Sequence, residues 1–146
     1  AGQQDDREFL RQALQGVKAR GEVSTLDRAW LSAHNYMGDK PLADPEGLLR
    51  VLQYNDIAQT ELGRSLPIIG TEGGSYTAGP LSDQARSALV TDAMRYMQTS
   101  REPYNFAYSY WIIANSLGGG GDSSFEWQAL FQPGYTSPIV DALRRL

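Results

Sequence analysis

Residues 66–76 read Leu-Pro-Ile-Ile-Gly-Thr-Glu-Gly-Gly-Ser-Tyr, and this stretch decides how the rest of the chain is interpreted. Its short apolar run follows Gly63, a residue type that commonly ends a helix, and predicts a buried parallel strand over 66–71. Glu72 then stands at the carboxyl end of that strand, where α/β folds carry their chemistry. The two glycines after it let the chain turn sharply and leave space around the carboxylate. The alternative is an ordinary solvated glutamate at a strand-to-loop turn.

The composition limits the class of protein. The 146 residues, 41% apolar and 21% charged, are enough for one globular domain with a core. A net charge of −4, with acids and bases interspersed, argues against nucleic acid or an anionic membrane surface as the main partner. With no cysteine and one histidine, a structural zinc site is not expected, and no apolar run approaches the roughly 20 residues of a membrane span. There is no G-x-G-x-x-G turn or phosphate loop, so no cofactor is predicted, and secreted and cytoplasmic locations both stay open.

Helices and strands alternate along the sequence. Helical spacing of apolar residues predicts helices at 6–20, 45–62, 83–99 and 137–146. Alternating, β-branched and aromatic residues predict strands at 29–36, 66–71 and 104–115, and a long loop over 116–135. This regular alternation predicts an α/β fold whose parallel sheet has right-handed crossovers.

The first predicted strand has one apolar and one polar face, because side chains alternate along a strand. Leu31 and Ala33 share one face, whereas Ser32, His34 and Tyr36 share the other. The second face is polar toward its carboxyl end, which is typical of a site rather than of a packed interior. The alternative is a buried histidine that is satisfied by hydrogen bonds.

The same alternation applies to the other two strands. Ile68, Gly70 and Glu72 are expected on one face of the second strand. Because parallel strands end at the same edge of a sheet, Glu72, Tyr36 and Trp111 are expected to turn toward one centre.

Three short motifs resemble a known enzyme family. The motifs are Ala-Trp-Leu-Ser-Ala-His-Asn-Tyr (29–36), Leu-Pro-Ile-Ile-Gly-Thr-Glu-Gly-Gly (66–74) and Ala-Tyr-Ser-Tyr-Trp (107–111). In this order they resemble strands six, seven and eight of a (β/α)8 glycoside hydrolase of clan A, closest in style to families 5 and 39. Those enzymes retain anomeric configuration, and many act on β-linked sugars. The later Phe125-Glu126-Trp127 is similar to a sugar-binding tripeptide of family 1, with a longer spacing from the third motif.

The resemblance implies roles for individual residues. Glu72 matches the catalytic nucleophile at the end of strand seven. Tyr36 and His34 match the strand-six positions that hold the nucleophile or bind sugar. Trp111 matches the strand-eight aromatic residue that floors the subsite where the bond is cut. The expected reaction is hydrolysis of an O-glycosidic bond in a carbohydrate, with retention and without a metal.

Further side chains are candidates for sugar contacts because of their chemistry. Tyr76 and Trp127 offer rings that stack on the apolar faces of sugars. Asn35, Glu126 and Asp122 offer polar groups that bind hydroxyls.

The sequence departs from the family at the acid/base. This second carboxylate belongs at the end of strand four, usually in an Asn-Glu pair, and no such element is present. A retaining mechanism needs two carboxyl groups about 5–5.5 Å apart, and a complete barrel needs eight strands. Residues 1–146 are therefore expected to form the C-terminal portion of the catalytic domain, a partial TIM barrel with strands six to eight and helices five to eight. Its open sheet is expected to need a partner, either the N-terminal half of the barrel or a second copy of the chain.

Two other hypotheses fit the same pattern. A half-barrel of this kind without chemistry would be a carbohydrate-binding or assembly module. A different small α/β domain, such as a flavodoxin-like one, is the third possibility. In that case Glu72 is expected to be solvated and far from Tyr36 and Trp111.

Overall fold

The computed structural model describes residues 5–77, 81–114 and 127–146. The helices are α1 (Asp6–Ala19), α2 (Arg50–Leu62), α3 (Asp83–Thr99) and α4 (Pro138–Arg144). The strands are β1 (Leu31–Tyr36), β2 (Ile68–Gly74), β3 (Asn105–Tyr108), β4 (Phe131–Gln132) and β5 (Tyr135–Thr136). A 3-10 turn at Val23–Leu26 lies in the connection between α1 and β1.

β1, β2 and β3 form a parallel sheet in that order. The prediction of an α/β chain with parallel strands is confirmed for the described residues. β3 is shorter than the predicted 104–115, but the chain beyond it stays hydrogen-bonded to β2. The backbone N–H groups of Ser109 and Trp111 donate to the carbonyls of Gly70 and Gly73, each at 2.7 Å. The carboxyl ends of the three strands therefore lie side by side.

Side-chain caps set where three of the helices begin. The capping residues of α1, α3 and α4 are Asp5, Ser82 and Ser137. α2 begins at Arg50, later than predicted, because the Asp44 carboxylate accepts the backbone N–H of Glu46 at 2.8 Å and favours a turn there. None of the helices in the described residues is long and apolar enough to cross a membrane.

The sheet has one face packed against a helix. Ala33 and Ile68 form a buried cluster with Val51 and Tyr54 of α2. On the opposite face the side chains are exposed or only partly buried, and Ser32 bonds Thr71 across the strands with 2.8 Å between their hydroxyl oxygens. The packed face supplies the hydrophobic stabilisation of the sheet.

The ladder between β1 and β2 contains a bulge at Thr71. The residue before His34 pairs with Gly70, whereas His34 itself lies opposite Glu72, so β2 has one residue more than β1 at this point. The bulge brings Glu72 to the face of His34, while Ile68 stays in the helix-facing core. The prediction that Ile68, Gly70 and Glu72 share a face is therefore wrong, because one inserted residue reverses the alternation of a strand.

β4 and β5 form an antiparallel hairpin in a region predicted as loop. The hairpin turns at Gly134, whose φ of 73° lies in the left-handed region that glycine adopts at low cost. At the start of the hairpin, the N–H groups of Leu130 and Phe131 donate to the carbonyls of Ile112 and Ile113, at 3.1 and 2.9 Å. The chain after β3 is thereby connected to the hairpin and to α4.

Candidate active site

The centre of the candidate site is the Glu72 carboxylate. The Tyr36 hydroxyl donates a hydrogen bond to Glu72 Oε2 at 3.0 Å. His34 Nδ1 lies 3.4 Å from the same oxygen. The Glu72 side chain is 29% exposed and the His34 side chain 59% exposed, so solvent and a ligand can reach both. The structure therefore brings His34 and Tyr36 to Glu72 at the carboxyl ends of β1 and β2.

Tyr36 is held in its protonated form. Burial raises the pKa of the Tyr36 hydroxyl above its ordinary value of 10.0, and the hydrogen bond to the Glu72 carboxylate raises it further. At neutral pH the phenol therefore donates to the carboxylate and fixes its orientation. The flavodoxin-like alternative predicts Glu72 far from Tyr36, which is not the arrangement found.

Aromatic rings extend away from Glu72 in two contacts. The ring of Tyr76 meets that of Tyr36 edge-on, with centroids 6.2 Å apart and an interplanar angle of 65°. The ring of Trp127 stacks on that of Tyr76, with centroids 6.3 Å apart and an angle of 18°. Offset and edge-to-face pairs of this kind are the favoured arrangements of aromatic side chains. Tyr76 and Trp127, both predicted as sugar-stacking residues, are thus connected to the Glu72 site through Tyr36.

Trp111 lies at the neighbouring strand end. Its backbone N–H donates to the carbonyl of Gly73, the residue directly after Glu72. Its side chain is 36% exposed. This bond places the backbone of Trp111 beside the carboxyl end of β2, and the turn of its side chain toward Glu72 stays a prediction.

Asn35 is not brought to the Glu72 site. Its side chain is 3% exposed, and its Oδ1 lies only 2.5 Å from where a Cβ on Gly70 would stand. It therefore occupies the face opposite to that of His34 and Tyr36. The other two predicted hydroxyl-binding residues, Glu126 and Asp122, lie outside the described residues.

Arg86 is a functional candidate that sequence reasoning missed. It is 2% exposed, its Nη1 donates to the backbone carbonyl of Trp127, and its guanidinium carbon lies 5.5 Å from the centroid of the Trp127 ring. Its Nη2 donates to Asp83 at 2.8 Å. The available signal was the spacing of Arg86, Val90 and Ala93, which puts a charged residue on the buried stripe of α3.

Glu72 and its neighbours do not resemble a metal centre. Within 5–77, 81–114 and 127–146, no three His, Cys, Asp or Glu side chains come together as metal ligands would. The arrangement of one carboxylate, one phenol and several aromatic rings is instead typical of small-molecule sites, which combine a few polar groups with apolar surface.

No family model matches this chain, and no curated protein or solved structure matches it either. The resemblance to clan A glycoside hydrolases therefore depends on the residues themselves.

Proposed function

We propose that this chain is the nucleophile-bearing portion of a retaining glycoside hydrolase. The observation that carries the proposal is the 3.0 Å hydrogen bond from the Tyr36 hydroxyl to the Glu72 carboxylate at the end of β2. A carboxylate that is partly buried, oriented by a phenol and accompanied by aromatic rings suits attack on an anomeric carbon.

Glu72 acts as the nucleophile in a double displacement. In the first step a carboxylate oxygen forms a bond to the anomeric carbon, the bond to the leaving oxygen breaks, and a second carboxyl group gives that oxygen its proton. In the second step the same group, now ionised, takes a proton from water, which attacks the anomeric carbon and releases Glu72. Tyr36 and His34 both approach Oε2, so Oε1 is the oxygen assigned to attack.

The second carboxyl group comes from a portion of the enzyme outside this chain. β1 and β3 are the edge strands of the sheet. In a (β/α)8 barrel strand five would pair with β1 and strand one with β3, and strand four would bring the acid/base to the same rim as Glu72. The N-terminal half of the barrel is the proposed partner, and a second copy of the chain is the alternative.

A non-catalytic carbohydrate-binding or assembly module is the second candidate. The chain of rings from Tyr36 through Tyr76 to Trp127 favours it, because stacking on sugars needs no second carboxylate. The two functions differ in whether Glu72 becomes covalently attached to sugar.

A covalent labelling experiment on this chain tests the nucleophile directly. The reagents are dinitrophenyl 2-deoxy-2-fluoro-β-glycosides of glucose, xylose and mannose, whose leaving group needs no acid. We expect release of one equivalent of dinitrophenolate and a glycosyl mass increase on the peptide that contains Glu72. Glu72→Gln should abolish both, a loss of several orders of magnitude in rate, whereas Glu102→Gln, at an exposed position, should label normally.

Two results would contradict the proposed function. Label on another residue, or normal labelling of Glu72→Gln, excludes Glu72 as the nucleophile. No labelling by any of the three sugars, even when the N-terminal part is supplied, together with reversible binding of oligosaccharides, favours the binding module. The native mass of the undenatured sample then shows whether a second polypeptide accompanies the chain.

A further inference from the structure

A cavity of about 300 Å³ lies on the far side of the aromatic chain from Glu72. The residues that line it come from the start of α3, the hairpin and the segment before the hairpin. They are Leu81, Asp83, Arg86, Trp127, Gln132 and Tyr135. The volume is at the lower end of the range for small-molecule sites, and the lining combines two aromatic residues with several polar ones.

The charges in the cavity cancel. Asp83 Oδ1 accepts from Arg86 at 2.8 Å, and Asp83 Oδ2 accepts from the Tyr135 hydroxyl at 2.9 Å. The Arg86 hydrogen bond holds the pKa of the Asp83 carboxyl below its ordinary value of 3.8, so this group is ionised at neutral pH. An anionic ligand would meet the Asp83 charge, whereas the Arg86 charge is already engaged. The cavity therefore suits a neutral ligand.

The polar groups suit hydroxyls. An ionised carboxylate has about four lone-pair positions, and the two described bonds to Asp83 leave acceptor capacity for ligand hydroxyls. Gln132 contributes an amide, which carries both donors and an acceptor. The rings of Trp127 and Tyr135 supply apolar surface beside these groups.

Trp127 belongs to both the cavity and the aromatic chain. It stacks on Tyr76 and also lines the cavity. The Arg86 guanidinium donates to the backbone carbonyl of Trp127 and lies against the Trp127 ring. The same guanidinium also donates to the Asp83 carboxylate and to the Ser137 hydroxyl. The wall between the two regions is therefore fixed by a buried guanidinium.

We propose that this cavity binds a neutral sugar ring of the same oligosaccharide whose scissile ring lies at Glu72. This inference rests on the proposed function and adds an extended, neutral substrate to it. Short sugars then occupy the Glu72 site alone, and only longer chains reach the cavity.

The three tryptophans provide separate reporters for a test in the full chain. Trp111 reports on the Glu72 end, Trp127 reports on the cavity, and Trp30, before β1 at the amino end of the sheet, is the control. Their indole N–H signals are assigned in ¹⁵N-labelled protein by single Trp→Phe variants. The protein is then titrated with neutral β-linked oligosaccharides of glucose, xylose and mannose, from one ring upward.

We expect single sugars to shift the Trp111 signal and longer oligosaccharides to shift those of Trp111 and Trp127, with Trp30 unchanged. Gln132→Ala should weaken the binding of longer oligosaccharides about tenfold, the effect of one or two hydrogen bonds, and should leave the binding of single sugars unchanged. Gln98→Ala, at an exposed position on α3, is the matched control and should change neither.

The outcomes separate the two proposals. If Trp111 responds but Trp127 responds at no length, or if Gln132→Ala has no effect, the cavity inference is overturned and the proposed function stands. If only Trp127 responds, the link to Glu72 is overturned and the proposed function fails with it. If neither responds, both fail. Tighter binding of uronic acid oligosaccharides would overturn the assignment of a neutral ligand.

Discussion

The two faces of the β1–β2–β3 sheet are built from the same strands but have opposite characters. On the helix-facing side, Ala33 and Ile68 are almost fully buried against α2. On the open side, Glu72 contacts both Tyr36 and His34, and its side chain stays partly exposed. The first face gives the chain its fold, and the second carries its candidate chemistry. The difference shows that one strand can serve both purposes because successive side chains point in opposite directions.

The strongest test of this difference uses two adjacent isoleucines. Ile68 is 0% exposed in the core, whereas Ile69 is only partly buried. Ile68→Ala should lower the free energy of unfolding by about 2–5 kcal/mol, because it removes apolar contacts and leaves a cavity. Ile69→Ala should cost about 1 kcal/mol. Urea unfolding of the two variants, followed by circular dichroism, measures both.

Equal costs for the two isoleucine variants would contradict the assignment of the faces. A repeat in the presence of the proposed N-terminal partner sharpens the comparison. If the partner covers the open face, the cost of Ile69→Ala should rise toward that of Ile68→Ala, while the cost of Ile68→Ala stays the same.

A glycine next to Glu72 gives the next largest expected effect. A Cβ on Gly73 would stand 2.2 Å from Tyr108 Cε2, so the ring must move to admit it. Gly73→Ala should therefore destabilise the fold by about 1–3 kcal/mol through overpacking. Gly16→Ala, in α1 with nothing within 4 Å of the added Cβ, should instead stabilise by roughly 0.5–1 kcal/mol. Thermal unfolding distinguishes the two signs, and a neutral Gly73→Ala would mean that Tyr108 is not held against the strand.

The smallest expected effect is a shift in the titration of Tyr36. Glu72→Gln removes the negative charge that favours the protonated phenol, so the pKa of Tyr36 should fall. It should stay above 10.0, because burial also raises it. The control is Tyr104, whose pKa is raised to about 12, first by burial and then by Glu102, Tyr96 and Asp56 rather than by Glu72, and which should not change. NMR titration of ¹³Cζ-labelled tyrosines measures both, and an unchanged Tyr36 would show that its hydroxyl does not bind Glu72 in solution.

Much of the fold followed from local patterns. The observed bounds of α3 match the prediction at 83–99, because the Ser82 cap and the apolar spacing act within that segment. The polar face of β1 was predicted for the same reason. The bulge at Thr71 was not, since no residue type requires it and it arises from how two strands pair.

Two other features that the sequence did not predict, the hairpin and the role of Arg86, also depend on contacts between distant segments. The β4–β5 hairpin forms where the backbone N–H groups of Leu130 and Phe131 donate to carbonyls of the chain beyond β3. The candidate role of Arg86 follows from its hydrogen bonds to Trp127 and Ser137, which are distant from α3 in the sequence. The pairing of Tyr36 with Glu72 was predicted because both fall at the carboxyl ends of parallel strands, but the unpredicted bulge at Thr71 is what brings Glu72 to the face of Tyr36.

The bulge at Thr71 makes the side to which Glu72 points depend on how β2 pairs with β1. Replacing Thr71 by valine removes a hydroxyl contact with Ser32 but leaves the backbone count intact. If β2 paired regularly with Thr71 retained, Glu72 would turn to the helix-facing side, whereas deleting Thr71 would give a regular ladder in which Glu72 still lies opposite His34. A variant that lacks Thr71 should therefore keep the carboxylate beside His34 and Tyr36, whereas substitutions that favour regular pairing of the full-length β2 should separate Glu72 from both partners even when the protein still folds.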